Sequence, residues 1–119
     1  REQSYRSRVV YELMANVYVN AKVDLTTTDV TTLYTCGQFS TAIVKSILVS
    51  EDSNNADTLT LTLTSGSDVF SLYKDKAVGA KGTVELLTAP LVVQADEILK
   101  VTAGTANRLH VVASILEIT

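Results

Sequence analysis

A chain of 119 residues with a 46% hydrophobic and a 19% charged share has the balance of one modest globular core, not that of a disordered polymer. Its formal charge of −3 is too small and of the wrong sign for a nucleic-acid binder that works by counterion release. No run reaches the ~20 apolar residues of a membrane span, and the single cysteine, Cys36, leaves packing alone to hold the fold.

Residues 1–13, "REQSYRSRVVYEL", show no strict alternation and hold Arg1, Arg6 and Arg8 against Glu2 and Glu12. The segment reads as an N-terminal arm or extension: a short helix, an extended stretch, or sequence foreign to the domain that fills 14–119. From residue 17 a period of two sets in. Val17, Val19, Ala21, Val23 and Leu25 alternate with Tyr18, Asn20, Lys22 and Asp24. A Thr-rich connector follows, then a short strand at Leu33 to Cys36 and a turn through Gly37.

Two strands joined by a polar loop come next, from Thr41 to Gly66. In the second, Leu59, Leu61 and Leu63 face one way and four threonines the other. The first is apolar on both sides, with Ile43, Ile47 and Val49 on one and Val44 and Leu48 on the other. Further strands are expected over Val69 to Lys76, Thr83 to Leu87, Leu91 to Val93 after Pro90, Glu97 to Ala103, and Arg108 to Thr119. The last repeats the two-faced pattern: Leu109, Val111, Ala113 and Ile115 against Val112, Leu116 and Ile118. About eight strands with polar turns between them predict an all-β domain, an antiparallel sandwich of jelly-roll or immunoglobulin-like type with a short N-terminal arm.

Chemistry-bearing patterns are scarce. The loop Asp52 to Asp57 invites a calcium reading, but Ala56 takes the fifth position and no Gly or closing Glu follows, so a plain Asx-rich turn is expected. Asp96 and Glu97 are adjacent and point to opposite faces of a strand. The one thiol and one imidazole, Cys36 and His110, read as a buried hydrophobe and a structural or interface ring. No catalytic, cofactor or metal site is expected, and the chain reads as a non-enzyme. Carbohydrate stays open as a partner through outward Tyr18, since an exposed ring can stack on a sugar.

In a two-layer sandwich one face of each strand meets the core and the other meets water. Two strands apolar on both faces therefore need a further cover. The expected cover is a neighbouring copy, through an interface of Ile43, Ile47, Val49, Val112, Leu116 and Ile118. The arm is the other candidate, docking through Arg1, Arg6 and Arg8.

Several segments carry a resemblance: "MANVYVNAKVDLTTTDVTTLYT" (14–35), "TAIVKSILVSEDS" (41–53), "VFSLYKDKAV" (69–78) and "ELLTAPLVVQADEILKVTAGTANRLHVVASILEI" (85–118). Together they resemble small β-sandwich virion proteins of tailed, marine-type bacteriophages. That resemblance implies a virion location and a structural role, with capsid decoration or stabilisation as the expectation. Tail, fibre or baseplate attachment is the alternative, and a carbohydrate- or receptor-binding module lies further off. It implies a homo-oligomer, a trimer or ring, and contacts with major capsid or tail proteins, with no nucleic acid and no membrane as partners. The chain departs from the family's Pro-containing turn at Cys36, Gly37, Gln38 and Phe39, and family members begin near the position of Met14.

Overall fold

Threonine, valine and isoleucine suit a pleated, half-buried surface, and the chain folds accordingly into strands without a helix among the described residues. The computed structural model describes residues 16–119; the arm with Arg1, Arg6 and Arg8 lies outside the described residues. Nine strands follow in order: β1 (Asn16–Leu25), β2 (Thr31–Thr35), β3 (Thr41–Glu51), β4 (Asp57–Ser65), β5 (Asp68–Val78), β6 (Thr83–Glu85), β7 (Leu91–Val93), β8 (Ile98–Ala103) and β9 (Leu109–Ile118). One sheet runs β1-β9-β3-β6, with β7 also on β3, and the other runs β2-β8-β4-β5.

Every pairing is antiparallel and the pairings are nested. β4 pairs β5, β3 pairs both β6 and β7, β2 pairs β8, and β1 pairs β9. β6 and β7 act as one broken strand, because β6 lies against residues 48–50 of β3 and β7 against residues 42–44. Pro90 stands in the break, where its missing N–H costs no ladder bond. With the broken strand counted once, this is the eight-stranded, two-sheet order of a jelly roll.

The core fills the space between the sheets. Leu25, Val44, Ile47, Val49, Leu109, Val111 and Ile115 come from one sheet and Leu59, Leu61, Leu99 and Val101 from the other, all essentially inaccessible to solvent. Burying each such side chain is worth about 1.5–3 kcal/mol. β9 follows the expected phase: Leu109, Val111, Ala113 and Ile115 are buried, while Val112, Leu116 and Ile118 sit on the outer side.

β3 does not, and the expected interface changes with it. Val44 pairs Ile115 and Ser46 pairs Ser114, so Lys45 is an extra residue opposite no partner. A bulge of this kind reverses the phase of a strand. Ala42 and Val44 face inward before it; Ile47, Val49 and Glu51 face inward after it. Ile43 therefore stays on the outer side, but Ile47 and Val49 are fully buried core residues, and Leu48 takes an exposed outer place. Of the apolar residues that the sequence divides between two faces, Val44, Ile47 and Val49 thus belong to one buried face counted across a phase change, and Ile43 and Leu48 stay on the outer one.

Glu85 on β6 holds the bulge. Its carboxylate accepts the Ile47 N–H at 2.8 Å, the Leu87 N–H at 3.2 Å and the Ser46 hydroxyl. Burial acts to raise the Glu85 carboxyl, but the bonds from Ser46, Ile47 and Leu87 outweigh it and hold the group below its ordinary value. The carboxylate thus supplies the acceptor that the interrupted ladder denies to Ile47.

Candidate assembly surface

The bulge aligns the outer side chains of four strands. Tyr18 of β1 stands opposite Leu116 of β9, Leu116 opposite Ile43 of β3, and Ile43 opposite Val92 of β7. This row crosses the sheet perpendicular to its strands. Its ends are open, with Tyr18 73% and Val92 51% exposed, and Leu116 and Ile43 are half-buried between them. A second row runs Lys22, Val112, Leu48, Glu85, in which Val112 and Leu48 form an exposed apolar pair. A polar strip of Asn20, Ser114 and Ser46 separates the two.

Lys45, expelled by the bulge, places its ammonium 6.0 Å from the centre of the Tyr18 ring, within reach of a cation–π contact. A shallow depression of about 450 Å³ lies there, bounded by Tyr18, Val19, Asn20, Lys45, Ser114 and Ile115. Lys22 donates to Asn20 Oδ1 at 3.0 Å on its rim. The face thus combines two apolar rows with two lysines and a strip of hydroxyl and amide groups.

Of the six residues expected at the interface, the structure brings Ile43, Val112, Leu116 and Ile118 to this outer side and removes Ile47 and Val49 to the core. Tyr18, Leu48 and Val92 complete it, and sequence reasoning did not assign them. The polar pair Lys45–Ser46 inside an apolar strand is the signal that could have located the bulge.

The other candidates resolve into structural roles. Cys36 is fully buried, and its thiol donates to the Ser40 carbonyl at 3.4 Å. Burial pushes the thiol up, and the nearby charge of Glu117 adds to this, so it is held away from the nucleophilic thiolate. Glu117 also accepts the Tyr34 hydroxyl at 2.5 Å, and burial together with that carboxylate pushes the phenol up as well. His110 belongs to the opposite end of β9, seven residues or about 23 Å along the strand from Glu117. It stands between Asp24 (Nε2 to Oδ1, 3.3 Å) and Asp52 (Nδ1 to Oδ2, 3.6 Å), bridging β1 to the β3–β4 loop. Thiol and imidazole are not brought together.

The Asp52 to Asp57 loop is organised around an anion. Glu51, 2% exposed, turns its carboxylate into the loop and accepts the N–H groups of Ser53 (2.7 Å), Lys81 (2.9 Å) and Asn55 (3.1 Å), with the Ser53 hydroxyl as a fourth donor. Burial works to raise the carboxyl, but these donors overcome it and bring the group down to about 2. Asn54 takes the left-handed conformation (φ 65°) that lets the turn close. Converging N–H donors make a cradle for a carboxylate, the opposite polarity to the carbonyl cage of a calcium loop.

No family model and no curated protein matches the chain. Among solved structures it is similar to a protein of the disulfide-linked pili that form Bacillus endospore appendages, at 13% identity and TM-score 0.53 over 88% of each chain. It is likewise similar to a protein of the acid-stable capsid of Helicobacter pylori bacteriophage KHP30, at 10% identity and TM-score 0.52, again over 88% of each chain. At these identities the likeness is one of fold alone.

Proposed function

We propose that the chain is a non-enzymatic structural subunit of a bacteriophage virion that self-associates into a trimer or ring and docks on the particle as a capsid decoration protein. The observation that carries this reading is the row Tyr18–Leu116–Ile43–Val92, apolar side chains aligned across four strands on the outside of a sandwich whose core is already filled. Outer sheet faces of monomers are ordinarily polar, and contiguous apolar exposure marks association. The jelly-roll order of this chain and its likeness in fold to proteins of a phage capsid and of a pilus support a building-block role, as does the resemblance to small tailed-phage virion proteins. The arm, through Arg1, Arg6 and Arg8, is proposed to add ionic contacts to a body that is net acidic.

Sedimentation of the wild type beside Ile43→Asp and Leu116→Asp tests the face. The wild type is expected to assemble through this face and both variants to sediment as smaller species than the wild type, with thermal midpoints within a few degrees of it because the outer positions add little to the core. Variants that remain assembled would reject the face. Position on the particle is a separate measurement, a cryo-EM reconstruction in which copies are counted. Copies tiling the shell support decoration; a few at the tail favour a tail, fibre or baseplate attachment protein.

A sugar- or receptor-binding module is favoured by one observation, exposed Tyr18 beside Lys45, Asn20 and Ser114 in the same depression. Glycan binding abolished by Tyr18→Ala would establish it.

A further inference from the structure

A patch that docks on itself in a closed pair does so about a twofold axis lying in the plane between the two copies. Stacked sheets in aligned packing keep their strands within about 30° of one another and about 10 Å apart. Two axes fit such a stack, one parallel to the strands and one across them. The outer face of the β1-β9-β3 sheet distinguishes them, because its rows run four strands wide and their midpoint falls between β9 and β3.

An axis parallel to the strands at that midpoint exchanges β9 with β3, and β1 with the broken strand of β6 and β7. In the first row Tyr18 then faces Val92 of the other copy and Leu116 faces Ile43. In the second row Val112 faces Leu48 and Lys22 faces Glu85. Between them Ser114 faces Ser46. Apolar groups meet apolar groups, hydroxyl meets hydroxyl, and the one cation of the second row meets its one anion. Glu85 already accepts three donors of its own copy, which favour its charged form, so Lys22 meets a fixed carboxylate. In the next row Asp24 faces Thr83 and His110 faces Ser50, so no like charges are opposed. Lys45 is held over the Tyr18 ring of its own copy, 6.0 Å from its centre. Its ammonium therefore stands at the β1 rim, and the two copies of it lie on opposite sides of the axis. An axis across the strands lays the first row over the second instead. It opposes Val92 to Glu85 and leaves no charge facing its opposite.

We infer that this face packs on the same face of a second copy about a twofold axis parallel to the strands, between β9 and β3, with Lys22 of each copy set against Glu85 of the other. The inference rests on the self-association proposed for this face and adds its symmetry and its pairs of residues. β9 runs ten residues, about 33 Å, and four strands span about 19 Å. The pair thus covers roughly 600 Å² on each copy, at the low end for a stable protein interface. A trimer or ring that uses this face against itself is therefore double, two layers joined across such axes.

Single cysteines and one charge reversal test it on the full chain, in which native Cys36 is buried. About this axis the two copies of a β9 residue lie about 11 Å apart and those of a β1 residue about 18 Å. A short bifunctional thiol reagent is therefore expected to crosslink Val112→Cys several-fold faster than Asn20→Cys. The axis across the strands reverses that order, since it lays Asn20 over its own counterpart and separates the two copies of Val112. Lys22→Glu sets two carboxylates together at both ends of the pair and is expected to weaken association about tenfold in sedimentation at low salt. Lys76→Glu, the same change of charge at an exposed place on β5 of the other sheet, should leave association unchanged. A wild type that assembles while Asn20→Cys crosslinks as fast as Val112→Cys would overturn the twofold and leave the face. So would a Lys22→Glu variant that associates as well as Lys76→Glu. A monomeric wild type would overturn the face and the twofold with it.

Discussion

Glu51 shows how much one side chain organises. Buried at the end of β3, it gathers donors from the β3–β4 loop and from Lys81 in the β5–β6 turn, so a single carboxylate ties two loops at one end of the sandwich. The native carboxyl titrates at about 2, against an ordinary value of 4.5. Between these values the unfolded chain binds a proton that the folded chain refuses. The part of the stability that Glu51 contributes is thus fully present above pH 4.5 and is lost as the pH falls toward 2. Glu51→Gln should lower the thermal midpoint at neutral pH and flatten this part of the acid limb. A limb of unchanged slope in the variant would assign acid sensitivity to other carboxylates.

At the scale of elements, β3 decides which residues meet the core. Ile47→Ala is expected to cost about 2–5 kcal/mol in denaturant unfolding, the range for a fully buried aliphatic side chain. Ile43→Ala, four residues earlier and on the outer side, should cost well under half as much in the monomer; equal costs would contradict the phase change at Lys45. β4 and β9 were legible in the sequence because each keeps one unbroken period of two, and the all-β class followed from them. β3 was not, because alternation counted through Lys45 assigns Ile47 and Val49 to the wrong face. The devices that fix its phase are equally hidden. Glu85 lies almost forty residues downstream of the Ile47 N–H it accepts, and a lone glutamate in a short strand gives no sign of its partner. Half of the candidate face was legible for the same reason: Val112, Leu116 and Ile118 belong to regular β9, whereas Leu48 and Val92 are placed by the bulge and by the broken strand.

The whole molecule is a set of nested pairings in which the first described strand closes on the last, so β1–β9 contacts join residues about a hundred positions apart. Non-local topologies of this kind fold in milliseconds to seconds rather than microseconds, since loop closure precedes the contacts that reward it. The turn after β2 lies within this closed arrangement: the Cys36 N–H donates to the Glu97 carbonyl at 2.9 Å and its carbonyl accepts the Asp96 N–H at 3.0 Å, tying two turns at one end together. Its thiol meets no solvent, so a thiol reagent can reach it only while the structure is open. Labelling of Cys36 is expected to proceed at the rate of global unfolding and to share its full denaturant dependence; faster labelling with a shallow dependence would mean that this end opens alone. The buried cysteine thereby keeps time for the native state, marking how long each copy of the chain stays closed.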